Sequence, residues 1–103
     1  MEIKITVLDT MSNIELAGRY CRDGQKACPC PIFKPGQEFT TTFEKPPGFC
    51  EWAWTDIYKY IAIFLSGGNM GDAFNWMADN NSVIACCTDG IRPVIFRIEK
   101  TSA

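Results

Sequence analysis

Trp54-Thr55-Asp56-Ile57-Tyr58-Lys59-Tyr60-Ile61-Ala62-Ile63-Phe64-Leu65 decides the fold of this chain. Trp54, Ile57, Tyr58, Ile61, Phe64 and Leu65 fall at i, i+3, i+4, i+7, i+10 and i+11, one broad apolar stripe at the helical period. Gly67-Gly68 follows, and glycine supplies the left-handed residue that commonly ends a helix. The expected helix covers 54–66 and is the only long one.

On either side of it the apolar period is two. Ile3, Ile5 and Val7 alternate with Lys4 and Thr6, the pattern of a half-buried strand. Turn formers occupy 9–13, after which Ile14, Leu16 and Tyr20 restart an alternation, so 3–7 and 14–20 are expected to form a hairpin. Residues 22–37 contain three prolines and two glycines and read as a loop. Phe39, Thr41 and Phe43 alternate with Glu38, Thr40 and Thr42 to give a third strand, ended by Lys45-Pro46-Pro47-Gly48 because proline cannot donate to the ladder. Residues 69–81 are irregular, with a short helix expected over 73–78. Residues 82–87 and 94–99 form a second hairpin about Thr88-Asp89-Gly90, the latter strand alternating Val94, Phe96 and Ile98 against Arg97 and Glu99.

Strands, a helix, then strands, without alternating βαβ units, argue against a doubly wound parallel sheet. The expectation is an α+β fold in one domain over 1–103: a twisted, mainly antiparallel sheet, open or curled toward a small barrel, with one main helix packed on it. A composition 47% hydrophobic and 21% charged suits one packed core in 103 residues. The net charge is −2 and the ten Lys and Arg residues are scattered singly, which argues against nucleic acid as a partner. The longest apolar stretch, from Tyr60 to Leu65, is far below the ~18 residues of a membrane span. Met1-Glu2-Ile3-Lys4-Ile5 enters a strand pattern directly, without the basic and apolar regions of a signal peptide, so a cytoplasmic protein is expected. Thirteen aromatic residues in so short a chain, and sheet edges that need covering, lead to the expectation of a homo-oligomer.

The chain contains no histidine, which rules out a Ser-His or Cys-His couple and a mixed Cys/His zinc site. It contains six cysteines. A disulfide framework would fit a secreted chain better than this one. Cys28-Pro29-Cys30 offers two thiols in a loop, Cys50 precedes the helix, and Cys86-Cys87 end a strand. The spacings match neither paired C-x-x-C knuckles nor ferredoxin runs. Alternation sends the vicinal pair to opposite faces. The candidate thiolate set for a metal or iron–sulfur cluster is therefore Cys30, Cys50 and Cys87, the last on the Val83 and Ala85 face, with Cys86 replacing it if the helix packs on the other side. The plainer reading makes most of these cysteines buried small hydrophobes.

Other groups have two readings each. Trp54 belongs to the apolar stripe and to the core, whereas Trp52 lies off it and suits a pocket wall or a subunit contact. Asp56 in the first turn of the expected helix complements the helix dipole, and Asp89 is a turn former. Arg92 is held extended by Pro93, near Cys87 and Asp89. It either pairs with Asp89 or anchors a carboxylate or phosphate ligand.

Gly48-Phe49-Cys50-x-Trp52-Ala53-Trp54-x-Asp56-Ile57, followed by Ala85-Cys86-Cys87-Thr88-Asp89-Gly90-Ile91-Arg92-Pro93-Val94-Ile95-Phe96, resembles a family of small prokaryotic proteins with no assigned activity. The likeness covers nearly the whole chain, including Cys30 before the strand that starts at Gly36-Gln37-Glu38-Phe39. It implies a small stand-alone cytosolic domain, often from anaerobes. Cys21 and Cys28 lie outside the family pattern, which implies that a site does not need them.

The expected function is that of a non-enzymatic binding module with a thiol-bearing pocket between the helix start and the last hairpin. Cys50, Trp52, Cys86, Cys87, Asp89 and Arg92 are its candidate residues, and a metal, a cluster or a small anionic molecule its ligand. The alternatives are a cysteine-dependent enzyme or redox protein using Cys50 with Cys86 or Cys87, and a structural subunit without a ligand.

Overall fold

Strand β1 (Ile3–Thr10) has two neighbours in one sheet, β2 (Glu38–Thr41) and β4 (Val94–Lys100), and β3 (Ser82–Cys86) adds to the far side of β4. The computed structural model describes residues 2–22 and 28–101. The strand order is β2-β1-β4-β3 and every pair is antiparallel. The sheet is open: β2 and β3 are its edges and do not meet, so it does not close into a barrel. The fold is α+β, as the patterning requires.

One face of the sheet is the core face. Ile3, Ile5 and Val7 of β1, Val94, Phe96 and Ile98 of β4, and Val83 of β3 are all buried. Helix α2 (Glu51–Leu65) packs on β1, β3 and β4 with Ala53, Ile57, Ile61 and Phe64, its buried stripe. Each fully buried large side chain contributes about 1.5–3 kcal/mol of burial free energy. Helix α2 ends in a Schellman motif: Gly67, at φ 90°, donates to Phe64 O at 3.1 Å and Gly68 to Ile63 O at 2.9 Å. Phe33 and Phe49 close one end of this core, edge-on to each other at 5.0 Å and both against Phe96.

The pairing of 82–87 with 94–99 is found as β3 against β4, with Ile84 opposite Arg97 and Cys86 opposite Ile95. The main helix begins three residues earlier than the apolar stripe implies, because its first turn, Glu51 to Ala53, precedes the stripe's first large residue. The first hairpin is a correction. Ile14–Tyr20 is not a strand but a short helix, α1, and β1 pairs with distant strands instead. Ile14, Leu16 and Tyr20 are exposed and only Ala17 is buried, so the apparent alternation was of residues outside the core. Glu15 in its first turn and Arg19 in its last suit a helix dipole.

Two other boundaries move. Strand β2 stops at Thr41, whose hydroxyl bonds Glu44 O and accepts from Phe43 N, turning the chain before Phe43 can join the ladder. The second short helix is α3 (Met70–Ala73), upstream of 73–78, because Asn69 caps it by accepting from Asp72 N and Met70 is buried. Of the loop at 22–37, residues 23–27 lie outside the described residues. Among the described residues, no helix is long and apolar enough to cross a membrane.

Candidate functional site

Three stretches meet at the Phe33–Phe49 end of the core: the segment from Cys30 to Phe33, the start of α2, and the connection between β3 and β4. The helix start and the β3–β4 connection are fixed by hydrogen bonds, and the first segment by the ring contacts of Phe33 with Phe39, Phe49 and Phe96. Phe49 is buried against Phe33, Phe39 and Phe96, its N–H bonds Pro46 O, and Lys45 Nζ donates to its carbonyl at 2.9 Å while pairing with Glu51 at 3.4 Å. These contacts set the position from which α2 departs. Across the gap, Asp89 Oδ1 accepts from the N–H groups of Ile91 and Arg92, both at 3.0 Å, which shapes the connection. Its outer side is held by the Asn13 side chain on Gly90 O and by Asn13 N on Ile91 O at 2.7 Å. Its inner side is tied to the helix by Asp56, whose Oδ2 accepts from Thr88 N at 2.8 Å and Thr88 Oγ1 at 3.1 Å.

The result is a cavity of about 440 Å³ with largely apolar walls, including Ile32, Phe33, Ala53 and Val94. That volume lies within the usual range for small-molecule sites, about 300–1,000 Å³. Cys30, Cys50 and Cys87 all line it, half-buried and as free thiols. Cys87 Sγ accepts from Val94 N at 3.4 Å. Trp52 stands at the rim, 79% exposed. Cys50 is the N-cap residue of α2, yet its side chain makes no cap bond, and the first intrahelical bond runs from Trp54 N to Cys50 O. The N–H groups of Glu51, Trp52 and Ala53 on the cavity wall therefore have no intrahelical acceptor.

Arg92 is the cation of the wall. Its Nε is buried without a hydrogen-bond acceptor among the described residues, and the nearest carboxylate contact is Asp89 Oδ2 at 3.8 Å. That distance is an ion pair without a hydrogen bond. Asp89 divides between that ion pair through Oδ2 and two backbone amides through Oδ1, while Asp56 is held by Thr88 and Glu51 by Lys45.

Of the residues selected from sequence, the cavity brings together Cys30, Cys50, Trp52, Cys87, Asp89 and Arg92. Cys86, the conditional alternative to Cys87, is not among the residues lining this cavity: it is exposed and lines a different groove, because strand alternation carries through the vicinal pair. Cys30, Cys50 and Cys87 share the cavity, but no three Cys, Asp or Glu side chains among the described residues are gathered closely enough to hold a metal ion. Asp56 has a different role from the one its sequence position suggests. With α2 starting at Glu51, Asp56 lies in the second turn, and Glu51 is the first-turn carboxylate. Asp56 acts as the brace to Thr88, 32 positions away, which no local pattern reveals. Ile32 and Phe33 were hidden in a proline-rich loop whose path was not legible. No family model, no characterised protein and no solved structure matches this chain.

Proposed function

We propose that this protein is a non-enzymatic binding module whose cavity takes a small, mainly apolar molecule ending in a carboxylate or similar anionic acceptor. The observation that carries this reading is the Arg92 guanidinium: its buried Nε lacks a hydrogen-bond acceptor in the wall of a half-enclosed, largely apolar cavity whose three carboxylates, Glu51, Asp56 and Asp89, already have partners of their own. A buried donor left without a hydrogen bond costs about 1–3 kcal/mol, and a ligand carboxylate toward which the Arg92 side chain turns would relieve it by pairing with the guanidinium. The uncapped first turn of α2 favours the same charge. The thiols supply soft, polarisable wall and report on occupancy. A thiolate-bound metal or cluster is the weaker reading, because its donors are not gathered among the described residues.

A thermal-shift comparison of 3-phenylpropanoate, its amide and 3-phenylpropylamine tests this directly. At ten times its Kd a ligand stabilises by about 1.4 kcal/mol, which is several degrees for a chain this size. The carboxylate is expected to stabilise most, and Arg92→Met to erase its advantage over the amide. Equal shifts for all three, or a preference for the amine, would contradict the reading.

The same proposal includes self-association in a cytosolic setting. Ten large hydrophobic side chains are exposed among the described residues, among them Trp52, Trp76, Phe43 and Ile84, and a contact between copies would remove some of that apolar surface from water.

A further inference from the structure

Strand β3 is an edge strand: of its outward backbone groups, only the N–H of Ser82 has a partner, Asp79 O at 3.4 Å, among the described residues. Its ladder to β4 uses the odd positions: Cys87 N donates to Val94 O and Lys100 N to Asn81 O, and the register between them sets Ala85 opposite Phe96 and Val83 opposite Ile98. Residues that exchange bonds alternate with residues that do not in an antiparallel pair. The N–H and C=O groups of Ile84 and Cys86 therefore point away from β4, and no backbone partner for them occurs among the described residues.

The two edges of the sheet are built differently. Strand β2 is four residues long, carries Glu38 paired with Lys4 at 3.1 Å, and is stopped by the Thr41 turn. Strand β3, Ser82-Val83-Ile84-Ala85-Cys86, has no charge, no proline and no bulge, three of the devices that block edge pairing, and is covered only at its start, where Ser82 N bonds Asp79 O. Beside it an open groove of about 450 Å³ separates the edge from the α2 flank at Thr55, Lys59 and Tyr60.

We infer that this groove receives β3 of a second copy, antiparallel about a two-fold axis at Ile84; the inference deepens the self-association proposed above. An axis at Ile84 places Ile84 opposite its own equivalent and lets Cys86 N of each copy donate to Ser82 O of the other, four bonds in all, while Ser82 N stays on Asp79 O. An axis at Ala85 gives the same number, and the axis at Ile84 is preferred because it sets the two exposed Ile84 side chains against each other as a β-branched cross-strand pair. Like meets like here without charge repulsion. No residue of β3 is charged, and Arg97 behind Ile84 is already paired with Glu99 at 2.6 Å and Asp79 at 3.8 Å. Two copies joined this way form one eight-stranded sheet with the blunted β2 strands at both ends, so assembly stops at the dimer.

Light scattering at high micromolar concentration is expected to give twice the chain mass of 11.6 kDa. Ile84→Pro removes only an outward N–H and leaves the β4 ladder intact, so the variant is expected to fold and to read as one chain. Ile84→Lys, which places two like charges at the axis, gives the same result if the proline variant fails to fold. The register is read with Ile84→Cys in a Cys86→Ser background. Directly opposed residues in a bonded pair are about 5.5 Å apart at Cα, within disulfide reach, so mild oxidation is expected to give a covalent dimer. A monomer mass for the wild-type chain would overturn both the interface and self-association, leaving the ligand reading to its own thermal-shift test. A dimer that survives Ile84→Pro and Ile84→Lys, or no cross-link at Ile84→Cys, would overturn this interface while self-association stands.

Discussion

Asp56→Ala removes a side-chain tie between α2 and the wall that carries Cys87, Asp89 and Arg92. Its Oδ2 accepts from Thr88 N at 2.8 Å and from Thr88 Oγ1 at 3.1 Å. Hydrogen bonds to a charged group contribute about 1.5–3 kcal/mol each in favourable settings. These two lie near the surface, where solvent reduces them to about 1 kcal/mol apiece. The variant should therefore lose about 1.5–2 kcal/mol, a fall in Tm on the order of 10 °C for a chain this size. Thr88→Val deletes only the hydroxyl bond and should lose about half as much, and a double-mutant cycle should show coupling between the two sites, as expected for residues in direct contact. Thermal unfolding followed by circular dichroism measures both losses. Iodoacetamide labelling supplies a second readout: freeing the connection from the helix should speed alkylation of Cys87 more than that of Cys86, which is exposed already. An Asp56→Ala protein within about 0.3 kcal/mol of the wild type, with Cys87 labelling unchanged, would refute the bracing role.

Three further outcomes follow from the packing. Ile61→Ala, at a fully buried position of α2, should cost about 2–5 kcal/mol in denaturant unfolding, whereas Trp52→Ala, 79% exposed, should stay within about 0.5 kcal/mol. Gly67→Ala places a Cβ at φ 90° in the Schellman motif and should destabilise by about 1–2 kcal/mol in the same assay. In native alkylation followed by mass spectrometry, the exposed Cys28 and Cys86 should label before Cys87, whose sulfur accepts a backbone N–H inside the cavity.

What could be read from the sequence depended on how strongly each segment's period was coupled to burial. The α2 stripe and the β3 and β4 alternation were legible because Ile57, Ile61, Val83, Phe96 and Ile98 all face the same core. Alternation also separates Cys86 from Cys87. The Ile14 to Tyr20 segment misled because its large residues stay outside the core, so their spacing records no buried face. Strand β1 at the centre of the sheet, between β2 and β4, was not legible either, since nothing local says which distant strands a run will join. The cavity shows both sides of this. Cys50, Cys87 and Arg92 stood out by their positions at element ends, but the Asp56 to Thr88 tie and the wall from Ile32 and Phe33 arise only when three separated stretches meet.

The binding claim is tested most directly by mapping cysteine alkylation with and without saturating 3-phenylpropanoate. A ligand seated against Arg92 should slow labelling of Cys30, Cys50 and Cys87 together while leaving Cys86 unchanged, and the protection should vanish in Arg92→Met. Protection that includes Cys86, that persists without Arg92, or that is absent from all three cavity thiols would contradict the account.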